Sequence, residues 1–173
     1  MGFYAEGYKL AGDKLVKYVN EQEQKQDYLV FPIVFLYRHS IELWLKHIIE
    51  LGNELHDRAG RFPTNHQIEG LWSQARMVAE EVWKDAPRDE LNQLEEYLSV
   101  LHNIDSGSFS FRYPVTKDGE ATLSRISYVN LRHFSEVMEK VDALLRSISM
   151  GLAVYLDYKR DMVHEMEREY RGG

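Results

Sequence analysis

Along most of this chain an apolar residue returns every three or four positions, and that period commits the fold to helices that each bury one stripe. Tyr4, Tyr8, Ala11, Leu15 and Val19 keep it in a first helix over about residues 3 to 25. A second helix is predicted to begin near Pro32, where a missing N–H costs nothing in a first turn, and to stop at Gly52. It is apolar around most of its circumference, which places it at the centre of a bundle. Gly60, Pro63 and Asn65 mark a loop, and Ile68, Leu71, Trp72, Ala75, Val78, Ala79 and Val82 then form a third helix that ends before Pro87. Leu91, Leu94, Tyr97, Leu98 and Leu101 form a fourth, with its start at Asp85 to Pro87. The pattern breaks from Asp105 to Ser127, where alternating Phe109, Phe111 and Tyr113 and the turn Lys117-Asp118-Gly119 predict a long loop or short hairpin. It returns from Val129 through Leu156 in a long last helix, with any bend expected at Gly151. The expected architecture is therefore all-α, a four- to five-helix up-and-down bundle forming a single domain over residues 1–173.

Charge and composition then remove whole classes of function. A net charge of −7 opposes broad, non-specific adhesion to nucleic acid, yet leaves room for a small local cationic pocket. The chain has no cysteine, so disulfides, thiolate nucleophiles and cysteine-ligated zinc are excluded. The longest apolar run, Leu29 to Tyr37, is too short to span a bilayer. No membrane association is expected, and the absence of a basic and apolar leader in Met-Gly-Phe-Tyr-Ala-Glu places the chain in the cytoplasm. No phosphate loop rich in glycine, no Gly-x-Ser-x-Gly elbow and no His-Glu-x-x-His helix is present.

What remains is concentrated on the second helix. Arg38, His39, Glu42 and Lys46 lie three and four residues apart and share one polar sector of an otherwise apolar helix. Such a sector either pairs internally, as a ladder of ion pairs that fixes helix register, or faces a pocket. In the second case His39 is the acid/base or ligand-contacting group, Glu42 tunes it, and Arg38 and Lys46 suit phosphate. His39-x-x-Glu42 supplies two ligands of a metal-binding bundle, but the further paired Glu-x-x-His motifs that such sites use are missing, so neither metal nor cofactor is expected. The loop Asp105 to Pro114 carries Arg112 beside Tyr113 after a run of hydroxyls. It is equipped to close over a pocket and hold an anion or a stacked base, or alternatively to plug the bundle with its aromatics while Arg112 pairs with a core acid such as Glu42. His66, at the start of the third helix, is either a contact of the cap region or part of the same pocket.

Three strings carry a resemblance: Phe35-Leu36-Tyr37-Arg38-His39-Ser40-Ile41-Glu42-Leu43-Trp44-Leu45-Lys46, then His66-Gln67-Ile68-Glu69-Gly70-Leu71-Trp72, then Ile104-Asp105-Ser106-Gly107-Ser108 leading to Phe111-Arg112-Tyr113-Pro114. Together they resemble a group of bacterial helical proteins with HEPN-like folds, over roughly residues 28 to 145. The resemblance implies a homodimer that binds RNA or a nucleotide, either as a metal-independent endoribonuclease of toxin or defence systems or as a non-catalytic adaptor or antitoxin-like module with a protein partner. The nuclease branch carries an Arg, four to six spacer residues and a His on one helix. Only Arg61 to His66 has that spacing here, and Pro63 argues against a helix through it. Carried onto this chain, the resemblance leaves Arg38, His39 and Glu42 as candidate catalytic residues and Lys46, His66, Arg112 and Tyr113 as candidate ligand contacts.

Overall fold

The computed structural model describes residues 1–22, 25–84, 88–123 and 128–172. These residues form five helices: α1 (Gly2–Gln22), α2 (Gln26–Leu55), α3 (Ile68–Val82), α4 (Arg88–Ile104) and α5 (Leu131–Gly172). Helix α2 is the hub, packed against α1, α3 and α5, while α4 closes the bundle against α3 and α5. Its residues Ile33, Tyr37, Ile41, Trp44, Leu45 and Ile48 meet Leu71, Trp72, Ala75 and Val78 of α3 and Val141, Leu145 and Leu152 of α5 in one core. Each fully buried aliphatic side chain there contributes about 1.5–3 kcal/mol. The all-α bundle read from the apolar period is the observed fold. Among the described residues, no helix is long and apolar enough to cross a membrane.

The boundaries differ from the pattern where packing overrides local punctuation. Helix α2 begins at Gln26, six residues ahead of the expected start, and runs straight through Pro32. Leu29 and Val30 pack on the core, and the Gln26 side chain donates to the Val129 carbonyl at 3.0 Å, so those contacts outweigh the backbone bond that proline forfeits. Nor does Gly52 stop the helix, which continues to Leu55. A Cβ at Gly52 would overlap the Val78 side chain, so the glycine is there for the close approach of α3. The helix ends instead where Asp57 turns left-handed at φ 53, and Lys159 of α5 donates to the carbonyl of Leu55 at 2.8 Å. Gly151, expected at a bend, makes room for the Trp83 ring. Asn130 caps α5, its side-chain oxygen accepting from the His133 amide at 3.1 Å. The expected start of α4 at Asp85 to Pro87 lies outside the described residues.

Between α4 and α5 the chain forms a minimal hairpin, one antiparallel bridge between Val115 and Ala121. Its turn is closed by the Thr116 amide on the Glu120 carbonyl at 2.8 Å and by Gly119 at φ 83. The hairpin lies over the same side of the bundle as the polar sector of α2, because Asp105 and Arg112 at its base both contact α2 residues.

Candidate functional site

Helical geometry sorts the polar sector of α2 into two environments. Arg38 and Glu42, one turn apart, point inward and are 0% and 1% exposed. A buried guanidinium must spend its donors on fixed acceptors. Arg38 gives Nε to the Asp105 carbonyl at 3.1 Å, one terminal nitrogen to the His66 carbonyl at 2.8 Å and the other to Glu42 Oε2 at 3.4 Å. It thereby ties α2 to the leader of α3 and to the end of α4. Asp105 Oδ2 lies 3.6 Å from Arg38 Nε, while its Oδ1 accepts from the amides of Phe109 at 2.8 Å and Ser110 at 3.0 Å. That carboxylate shapes the turn in which Ser108 adopts φ 59. Its Oδ2 is buried with no hydrogen-bond partner.

Glu42 is the other hinge of the cluster. Its Oε1 accepts from Lys46 Nζ at 2.9 Å and faces His66 Nδ1 at 2.8 Å. Burial pushes the carboxyl up, but the hydrogen bonds and charges of Lys46 and His66 outweigh it and hold Glu42 below the ordinary glutamate range. Burial lowers Arg38, opposed by Asp105 and Glu42, from a value so high that the guanidinium stays charged. Two cations thus face two carboxylates. Because an ionised carboxylate only accepts, Nδ1 of His66 carries the proton, and in the neutral ring Nε2 presents a free lone pair. The His66 side chain is 58% exposed, so the ring stands at the solvent edge of an otherwise enclosed network.

His39 departs from that network. Its ring stacks on Phe35, with centroids 5.7 Å apart and planes 9° apart, and receives Tyr8 edge-on at 4.4 Å. Burial is the largest influence on it and lowers its pKa; Lys46, Arg38 and His66 add to that fall against the pull of Glu42. Phe35 carries on its other contacts the Arg112 guanidinium, 5.7 Å from the ring centroid. Arg112 also lies 5.8 Å from the Tyr113 ring, which stacks on Phe109 at 4.7 Å. A seam of stacked groups therefore runs from the hairpin base over α2 to α1. The alternative in which Arg112 pairs with Glu42 is not what forms: Arg38 holds Glu42, and Arg112 is anchored by Nε to the Ser108 carbonyl at 2.6 Å. Arg112 and Tyr113 line a cleft of about 500 Å³ with Phe31 and Thr122.

The candidate residues thus come together in two adjoining groups. Arg38, Glu42, Lys46 and His66 form the ionic group, and His39, Arg112 and Tyr113 belong to the aromatic seam. Arg61 lies in a non-helical loop and pairs with Glu50 at 3.1 Å. Among the described residues no group of three His, Asp or Glu is placed to hold a metal ion. Sequence reasoning passed over Asp105 as the partner of Arg38, although the Ile104-Asp105-Ser106-Gly107 turn that holds it was in view. It also passed over the seam between α1 and α5, where Lys9 bonds Asp13 at 3.0 Å and Glu139, and the Tyr37 hydroxyl donates to Asp13 at 2.7 Å. No family model, curated protein or solved structure matches the chain.

Proposed function

We propose that the protein is a HEPN-like bundle that binds RNA or a nucleotide at the polar edge of α2, with His66 as its acid/base group. One observation carries the reading: a buried carboxylate, Glu42, holds Nδ1 of a histidine at 2.8 Å while the ring stands 58% exposed. A base oriented by a buried acid, on a ring that solvent reaches, is an arrangement suited to proton transfer. Arg112 and Tyr113, beside a cleft of about 500 Å³, suit a phosphate and a stacked base. On RNA, Nε2 of His66 takes the 2′-hydroxyl proton and the 2′-oxygen attacks the neighbouring phosphorus. The bond to the 5′-oxygen breaks as that oxygen takes a proton from water, giving a 2′,3′-cyclic phosphate and a 5′-hydroxyl while the His66 imidazolium returns its proton to solvent. Arg112 offsets the charge that develops on the phosphorus oxygens. Glu42 positions His66, and Arg38 positions Glu42.

A second reading, a non-catalytic interaction module, is favoured by the near-complete burial of Arg38 and Glu42, since a closed ionic network specifies register without needing a ligand. The two separate in an assay of labelled single-stranded RNA with EDTA present throughout. The expected result is binding that weakens about tenfold in Arg112→Ala, and cleavage that falls on the order of 100-fold in His66→Ala but persists in His39→Ala. Intact RNA and no binding in the wild type would sink the first reading in favour of the second.

A further inference from the structure

Helix α5 is 42 residues long, about 63 Å at 1.5 Å per residue, and it outruns the bundle that covers its first half. Leu145, Leu152 and Leu156 are buried, whereas from Arg160 to Arg171 every residue is exposed. The period does not lapse there. Tyr158, Met162, Met166 and Tyr170 continue at steps of four, and Tyr170 is 92% exposed. The three residues that stand three places beyond Tyr158, Met162 and Met166, and so border the stripe on one side, are Asp161, Glu165 and Glu169. On the other side, three places before Met162, Met166 and Tyr170, stand Lys159, Val163 and Glu167.

We infer that this stripe is a docking surface for an amphipathic helix of another protein whose apolar face is bordered by lysine or arginine. A second copy of the chain is the obvious rival, and charge argues against it. Two copies side by side and antiparallel oppose Asp161, Glu165 and Glu169 to the same acids. Side by side and parallel, those acids face Lys159, Val163 and Glu167, and Lys159 is already engaged by Asp57 at 2.6 Å and by the Leu55 carbonyl. Area argues the same way. Two tyrosines and two methionines exposed to this degree offer on the order of 500 Å², enough for helix recognition but short of the roughly 800 Å² per partner of a stable dimer. Methionine suits such a role, because its flexible thioether adapts to different apolar partners. A homodimer built elsewhere on the bundle leaves the stripe free, and the inference stands apart from the chemistry of His66.

The test uses the full chain and two designed amphipathic peptides of about 18 residues, identical on a leucine face and bordered by lysine in one and by glutamate in the other. Fluorescence anisotropy is expected to detect the lysine peptide only, with binding weakened at least tenfold by Met162→Ser with Met166→Ser, by Glu165→Lys with Glu169→Lys, and by raised salt. Circular dichroism should find the bundle unchanged in both double variants, since neither alters a buried residue. Equal binding of the two peptides, or of neither, overturns the inference. So does a wild-type dimer in sedimentation equilibrium that Met166→Ser dissolves, because the stripe would then be occupied by a second copy.

Discussion

At Glu42 one side chain answers for three others. Its carboxylate takes hydrogen bonds from Lys46 and Arg38 and faces His66 Nδ1, all within 3.4 Å. Replacing it by Gln keeps the volume but leaves two buried cations with less charge to face. The expected cost is about 3–5 kcal/mol in urea unfolding, far above a typical surface change. The pH dependence follows from direction. Glu42 sits below its ordinary value, so its contribution is complete above the unfolded glutamate value of about 4.3 and is lost as pH falls through the folded one. His39 is also held below its ordinary value, which for an imidazole means the folded state resists protonation. Stability should therefore decline as pH drops from above about 6.5 towards the folded value. His39→Phe, which keeps an aromatic ring beside Tyr8 and Phe35 and removes the titrating group, should flatten that part of the profile. Unfolding midpoints measured at pH 7.5 and 5.5 in wild type and variant check it, and an equal decline in both would reassign the slope to another group.

At the level of elements, the period of the apolar residues located all five helices, but punctuation misplaced both ends of α2. Pro32 and Gly52 read locally as a start and a stop, and both lie inside α2, because Leu29 and Val30 reward extension at one end and Val78 fills the space beside Gly52 at the other. No local rule carries that information; it belongs to partners 26 or more residues away along the chain. Opposite mutational signs follow. Pro32→Ala, at an exposed site, restores a backbone bond and should stabilise the protein by about 1–3 kcal/mol. Gly52→Ala gains about 1 kcal/mol of helix propensity but drives a methyl into Val78 at a cost of about 1–3 kcal/mol, and should be destabilising by up to about 2 kcal/mol net. Thermal unfolding of the two variants decides; a stabilising Gly52→Ala would mean that α3 moves aside at little cost. The same limit governed the site. Spacing put Arg38, His39, Glu42 and Lys46 on one sector, yet the split between ionic network and aromatic seam depends on Asp105, His66 and Tyr8, which spacing on α2 does not reveal.

For the whole molecule, the relevant contrast is between a bundle closed around α2 and a helix that leaves it. Among the described residues, everything that fixes the bundle to α5 lies before residue 161: the buried leucines end at Leu156, and Lys159 and Arg160 fasten the end of α2 through the Leu55 carbonyl and Glu54. An isolated helix of about a dozen residues is marginal in water, so the segment after Arg160 draws little stability from the bundle and returns little to it. A chain ended after Arg160 should therefore keep its unfolding midpoint within about 2 °C of the full protein. Hydrogen exchange on the full chain should find Asp161 to Tyr170 the fastest helical amides of α5. Binding of the lysine-bordered peptide should slow that exchange and should vanish in the shortened chain. If the midpoint instead dropped by ten degrees, the tail would be folding onto the bundle in solution, and the apolar stripe would be a core face of this molecule, not a surface offered to another.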